Sequence, residues 1–308
     1  MMTTFKAMRR LFPAKALIIG VAALALAGCS AVRLGYDNGP WLARWWIDDW
    51  LDLRSEQVQP LDDALQAWFA WHRRSELPGY ADALAALARR AGGELSAADM
   101  CRINDEWRAR IDRAVEQALP ATARLLPSIR PEQWAQFARH EAERRAELRE
   151  TFGVDGGPER VTQRQLERGI ERGEMLYGKL APAQRELLKT VFAEGPFDPA
   201  RWLAERAQRQ DELLRGLKAL QAPGLSPAQR TDGLRALYRR TQTPADPAEQ
   251  ARQQRRIEYG CQASARLHNS TDARQREHLR QFLLTWEADF RALAARAQPA
   301  PREAAQGL

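Results

Sequence analysis

An all-α fold, either one multi-helix bundle or two helical lobes, is predicted by three observations. Apolar residues recur at helical spacing along nearly the whole chain, no run of alternating β-branched residues resembles a strand, and one helix-start pattern returns five times. Leu61, Leu65, Trp68 and Phe69 follow the i, i+4, i+7, i+8 rule of a buried helix face. Ile103, Trp107 and Ile111 step by four, and Trp134, Phe137, Leu148 and Phe152 continue the period across a polar break at Glu141. Leu279, Phe282, Leu283, Trp286, Phe290 and Leu293 mark an amphipathic last helix.

The recurring start reads Leu53-Arg-Ser-Glu-Gln57, Leu95-Ser-Ala-Ala-Asp99, Ile129-Arg-Pro-Glu-Gln133, Leu180-Ala-Pro-Ala-Gln184 and Leu225-Ser-Pro-Ala-Gln229. Its physical sense is a capped N-terminus: an apolar staple residue, a cap, Pro in the first turn, and a Gln or Asp reaching back at N3. Breaks fall at Pro120–Pro127, Gly153–Pro158, Gly195–Pro199, Ala222–Gly224 and Thr243–Pro247. These divide the chain into a helical part over 40–152, a possible glycine hinge at 153–158 and a second helical part over 159–297, with a disordered tail at 298–308.

The N-terminus has the three-part form of an export signal. Lys6, Arg9, Arg10 and Lys15 carry the charge, and Ala16–Ala27 is an apolar stretch shorter than the roughly 20 residues that span a bilayer. It ends in Leu26-Ala27-Gly28-Cys29, which resembles the lipobox cut by lipoprotein signal peptidase. The resemblance implies removal of residues 1–28, acylation of Cys29 by palmitate-class chains, and a tether over 29–39. Ser30 after the cysteine implies, by the same likeness, the periplasmic face of the outer membrane.

The charge balance changes once that signal is set aside. The full chain has 47 Lys+Arg against 40 Asp+Glu and a net charge of +7, but without the four signal cations 43 face 40. Acids and bases alternate as on solvated helix faces, which argues against a nucleic-acid partner. The two remaining cysteines, Cys101 and Cys261, are a disulfide candidate in an oxidising compartment.

No catalytic constellation emerges. A G-x-S-x-G elbow, a P-loop and G-x-G-x-x-G are absent, and a helical site built on Glu76 or Glu106 has nothing to select it. Asp48-Asp49-x-x-Asp52 matches a metal–diphosphate motif without a second acidic partner, and Arg44 four residues earlier suits a pair with Asp48. His140-Glu141-x-x-Arg144 puts Arg where a zinc ligand belongs. No cofactor or metal is therefore expected. Trp41/Trp45 and Trp46/Trp50 are i, i+4 pairs beginning twelve residues after Cys29. They could lie at the lipid headgroup level, but coverage of two adjacent helix faces favours packing into the core against Trp68 and Trp71.

Two resemblances bear on function. The segment Tyr36–Leu53, with Trp71-His72-Arg-Arg-Ser-Glu-Leu-Pro78, Leu267-His-Asn-Ser-Thr271 and Gln275-Arg276, resembles an uncharacterised family of proteobacterial lipoproteins with a domain of unknown function. The start pattern is also similar to the Leu-Thr-x-x-Gln signature of the Spy/CpxP-like periplasmic proteins, which include a chaperone. The family resemblance implies a helical outer-membrane or periplasmic lipoprotein and nothing more; the lipid address, the Arg-rich amphipathic helices and the chaperone-like starts point to a lipid-anchored, non-catalytic module that binds envelope proteins, chaperone-like, or else a structural subunit of an envelope complex. Trp41, Trp45, Trp46, Trp50, Trp71, His72, His268 and Asn269 are the candidate binding surface. Trp71-His72 and His268–Thr271 either share a polar site or, for Asn269 and Ser270, cap the last helix.

Overall fold

A helix can begin only where its first N–H groups find acceptors, and this chain supplies them repeatedly. The computed structural model describes residues 30–296. Among these lie twelve α-helices and no strand: α1 (Ser30–Asp37), α2 (Gly39–Leu51), α3 (Ser55–Ser75), α4 (Leu77–Arg90), α5 (Ala97–Leu125), α6 (Pro131–Phe152), α7 (Gly157–Tyr177), α8 (Pro182–Glu194), α9 (Pro199–Ala219), α10 (Pro227–Gln242), α11 (Pro247–Asn269) and α12 (Ala273–Ala295). Short 3₁₀ turns join α5 to α6 and α6 to α7. The signal over 1–28, Cys29 and the tail over 298–308 lie outside the described residues.

The five start patterns open α3, α5, α6, α8 and α10. In each the N3 side chain accepts from the N-cap backbone N–H, as Gln57 does from Arg54 at 3.0 Å and Asp99 from Ser96 at 2.9 Å. A full reciprocal box forms where the cap is Ser96 or Ser226; Arg54, Arg130 and Ala181 have no side-chain acceptor, so there the N3 glutamine works alone. A sixth copy, Thr271-Asp-Ala-Arg-Gln275, opens α12 with Asp272 as cap. Asn269 and Ser270 are therefore not the cap of the last helix; they lie at the end of α11.

Four of these glutamines also meet in pairs. Gln57 and Gln133 are buried and donate to each other's carbonyl oxygens, at 3.0 and 2.8 Å. Each sends its second N–H to the backbone carbonyl five residues before its partner, Ser128 and Asp52. Gln184 and Gln275 repeat the arrangement at 2.7 and 2.9 Å, with Ser270 and Lys179 as the backbone acceptors. The first pair ties the start of α3 to the start of α6, and the second ties α8 to α12.

Two apolar clusters fill the interior. One joins Leu84 and Ala88 of α4, Tyr177 of α7, Leu188 of α8, and Leu279 and Leu283 of α12. The other joins Leu119 and Ala123 of α5, Trp134 of α6 and Leu234 of α10. Each draws on both sides of residues 153–158, so that segment reverses the chain between α6 and α7 without dividing the core. Gly153 and Gly157 have φ of 68° and 81° there, a region that favours glycine.

Three details depart from the sequence reading. The stretch read as a tether folds as α1, because Tyr36 packs on Phe69 and Arg33 reaches α12. Pro120 lies inside α5, whose neighbouring Leu119 and Ala123 are held in the second cluster at the cost of one backbone bond. Ile111 is 57 % exposed: steps of four drift about 40° each around a helix, so a stripe in register at Ile103 has left the interface by Ile111.

Cys101 in the first turns of α5 and Cys261 of α11 form a disulfide, with Cα atoms 5.3 Å apart at a sequence separation of 160. Closing so long a loop restricts the unfolded chain, and replacing both cysteines by serine should lower the unfolding free energy by about 3–5 kcal/mol in urea titrations. The glutamine pairs yield a second expectation. Gln57→Leu leaves the buried amide of Gln133 short of a partner and should cost about 2–3 kcal/mol. The double replacement Gln57→Leu/Gln133→Leu should cost clearly less than the sum of the two singles; additive costs would contradict the pairing.

Candidate functional site

The most unusual surface begins with the first described residues. Leu34, Trp41, Leu42, Trp45 and Trp46 are all exposed, the three indoles at 56, 58 and 53 %. The expected packing of these tryptophans against Trp68 and Trp71 does not occur. The reason lies in which neighbours reach α2: it packs chiefly on α3 and α6, so one side of the helix is covered and the other is not. Trp50 alone turns inward, stacking on His140 at 5.5 Å and against Phe137 at 5.4 Å, while Trp46 leans on it at 5.1 Å.

Two contacts lock this arm to the body. Gly39 is buried against Phe69, where a Cβ would sit 2.3 Å from the ring, and only glycine lets α2 start so close to α3. Arg33 of α1 donates to Asp289 of α12 at 2.6 Å. Asp289 is fully buried and among the described residues its other oxygen has no hydrogen-bond partner, so the pair with Arg33 is what balances its burial there. Asp37 takes Arg73 at 3.0 Å and Arg296 at 2.6 Å. Between these groups lies an open cleft of about 640 Å³ lined by Trp41, Arg44, Arg73, Arg74 and Arg296 with Asp37 and Asp62. Its cations outnumber its anions, and it borders the exposed indoles.

Trp71 and His72 are internal. Trp68 and Trp71 flank the imidazole, Trp68 stacking on it at 4.7 Å, and its nitrogens meet the Tyr36 hydroxyl at 2.8 Å and the Tyr80 hydroxyl at 3.3 Å. Beside it, buried Glu76 accepts two bonds from Arg113, at 3.2 and 3.1 Å. His268 sits elsewhere. Its Nε2 faces the carbonyl of Gly93 at 2.9 Å and must therefore donate, which leaves Nδ1 to accept from the Tyr177 hydroxyl at 3.1 Å. Asn269 clamps Leu95 from both sides, accepting from its N–H and donating to its carbonyl.

His72 meets α4 near its start and His268 meets the loop beyond its end, a separation of about 20 Å along that helix. They share no site. The Trp, His and Asn candidates thus separate into an exposed face (Trp41, Trp45, Trp46), Trp50 turned onto Phe137 and His140, an internal cluster with Trp71 and His72, and a loop clamp (His268, Asn269).

The acidic motif is structural as well. Asp48 accepts from the Leu53 N–H at 2.9 Å, and Arg44 pairs with Asp62 of α3 at 3.4 Å instead of with Asp48. Among the described residues no group of three His, Cys, Asp or Glu is placed to hold a metal ion. The sequence reading did not find the Thr271–Gln275 start or the pairing of the glutamines. Gln275 itself stood in the sequence at the correct offset from an acidic cap; Thr in place of the leading Leu hid it.

Burial pushes the His72 imidazole below its ordinary value against the opposing pull of Glu76, and burial lowers His268 likewise, opposed by the Gly93 carbonyl. Burial also raises the Tyr36 and Tyr177 hydroxyls to about 12, so they remain protonated partners of the two rings. A histidine that is harder to protonate when folded takes up its proton first in the unfolded chain. Stability from these rings is full above the unfolded value of about 6.5 and is lost as the pH falls toward the folded one. The urea midpoint should therefore drop between about pH 7 and 5, and a His268→Gln variant should show a shallower drop.

A family model described as a family of unknown function, DUF6279, matches residues 49–232. The matched stretch runs from the end of α2 into α10 and includes Gln57, Gln133, Gln184 and Cys101, while Cys261 and Gln275 lie beyond it. No curated protein and no solved structure matches the chain.

Proposed function

We propose, from the premise that this chain belongs to DUF6279, a family of unknown function, that it is a non-catalytic lipoprotein anchored through Cys29, with its helical body presented to envelope proteins from the periplasmic face of the outer membrane. The observation that carries this reading is the exposed apolar face of the α1–α2 arm, Leu34, Trp41, Leu42, Trp45 and Trp46, on the helices that directly follow Cys29. Indoles favour the headgroup layer because the ring is apolar and its N–H still finds acceptors there. The acyl chains on Cys29 would hold the protein at the membrane, and a second element inserted at the surface would fix how the body lies on it. The arginines of the neighbouring cleft add attraction for anionic headgroups. The Cys101–Cys261 bond suits an oxidising compartment.

In this reading the arm sets the orientation of the body, and α5 to α11 face away from the lipid as the surface for a protein partner, whether unfolded clients or one folded subunit of an envelope assembly. The mature chain without its acyl group should partition onto vesicles of phosphatidylethanolamine and phosphatidylglycerol, with a blue shift of tryptophan fluorescence. Replacing Trp41, Trp45 and Trp46 together by serine should weaken that partitioning by about 100-fold or more, with the melting temperature held. Equal partitioning of the triple variant would refute the membrane reading. Crosslinking of the lipidated protein in cells then separates many clients from one partner.

A further inference from the structure

Beneath α2, on the side opposite the indoles, the protein holds an apolar cleft between α2, α3 and the last turns of α5. One chamber of about 270 Å³ is bounded by Leu51, Leu53, Leu126, Trp134, Phe137 and Leu217. A second, of about 480 Å³, is bounded by Ala43, Leu65, Trp68 and Phe69, with Gln117 and Arg124 among its lining residues. Ile47, Leu61, Thr122 and Leu125 border both, so the chambers adjoin. Protein interiors are close-packed, and voids on this scale are the size of ligand sites.

The walls leave a ligand little polar chemistry to use. In the first chamber Gln57 is committed to Gln133, Ser128 and the Arg54 N–H; Ser128 donates to the Leu125 carbonyl, and Thr122 to that of Ala118. An occupant of that space is hydrocarbon. At the second chamber Arg124 is exposed, with no carboxylate partner among the described residues. The roof is unusual too. Helix α2 presents Ala43, Ile47 and Leu51 to the cleft and Leu42, Trp45 and Trp46 outward, and a helix apolar on both sides belongs between two apolar media.

We infer that the cleft binds one acyl chain of an anionic lipid, with the hydrocarbon under α2 and the carboxylate or phosphate at Arg124. The inference rests on the membrane reading only for where the lipid comes from; the cleft stands on its own lining. Its test is calorimetric titration of the full mature chain with saturated fatty acids of increasing length, below their micellar concentrations. One acid should bind per protein, about fourfold more tightly for each added methylene until the cleft is full, and no more tightly beyond that length.

Thr122→Phe, placed where the chambers meet, should weaken binding at least about tenfold at an unchanged melting temperature, and Ala43→Phe fills the same space from the roof should the first variant fail to fold. Arg124→Glu should weaken the acid while sparing the alcohol of equal length. Trp45→Ser should bind the acid normally while losing affinity for vesicles. Absence of binding, binding indifferent to chain length, or full binding by both filled variants would overturn the cleft assignment. Equal weakening of acid and alcohol by Arg124→Glu would overturn the headgroup assignment. Acid binding without vesicle partition would leave the cleft standing and remove the membrane reading.

Discussion

Two helix N-termini brought together in a protein interior present one another with unsatisfied N–H groups and with dipole ends of the same sign. This fold does so twice, at α3 with α6 and at α8 with α12, and the paired glutamines make it possible. Each side chain must accept from its own cap N–H and from its partner, and must donate to its partner and to a backbone carbonyl. A carboxamide offers two N–H donors beside an oxygen that can accept twice; a glutamate would accept well but could give nothing to the carbonyls of Ser128 and Asp52. At the starts of α5 and α10 no second glutamine-capped helix N-terminus is paired, and there Asp99 or an unpaired Gln229 serves.

The rest of the architecture follows from where these two junctions hold the helix ends. The first ties α3 to α6 beside the second apolar cluster, which α6 and the end of α5 enter, and the second gathers α8, α12 and α7 around the first. Long α5 runs between them, fastened to α11 by the disulfide and to α10 by packing. The N-terminal arm is added by a different kind of force. Its attachments are the Arg33–Asp289 pair, the bonds of Asp37 to Arg73 and Arg296, and the approach of Gly39 to Phe69. That combination fixes the arm's direction while leaving its outer side bare.

Polar side chains that look chemical in isolation turn out to hold the body together. Tyr36, His72 and Tyr80 form one chain of hydrogen bonds beside the Glu76–Arg113 pair, and Tyr177, His268 and Asn269 pin the loop after α4 to the end of α11. Burial keeps both imidazoles neutral near physiological pH, so each can donate from one nitrogen and accept at the other.

Much of the helical content was legible in the linear chain. The 3.6-residue period located the helices, and the recurring pattern of an apolar residue with Gln or Asp four positions later located five of their starts, because both depend on residues close in sequence. The opposite holds for what the side chains face. Trp41, Trp45 and Trp46 have the spacing of a core stripe, and whether water, lipid or protein covers them depends on helices up to the far end of the chain. The meeting of Gln57 with Gln133, the separation of His72 from His268, and the apolar cleft under α2 are likewise set by contacts between residues dozens to hundreds of positions apart. Sequence alone determined the helices and their caps, since local hydrogen bonds and periodicity decide those; only the tertiary structure decided which apolar faces are buried, since burial belongs to the neighbours and not to the helix itself.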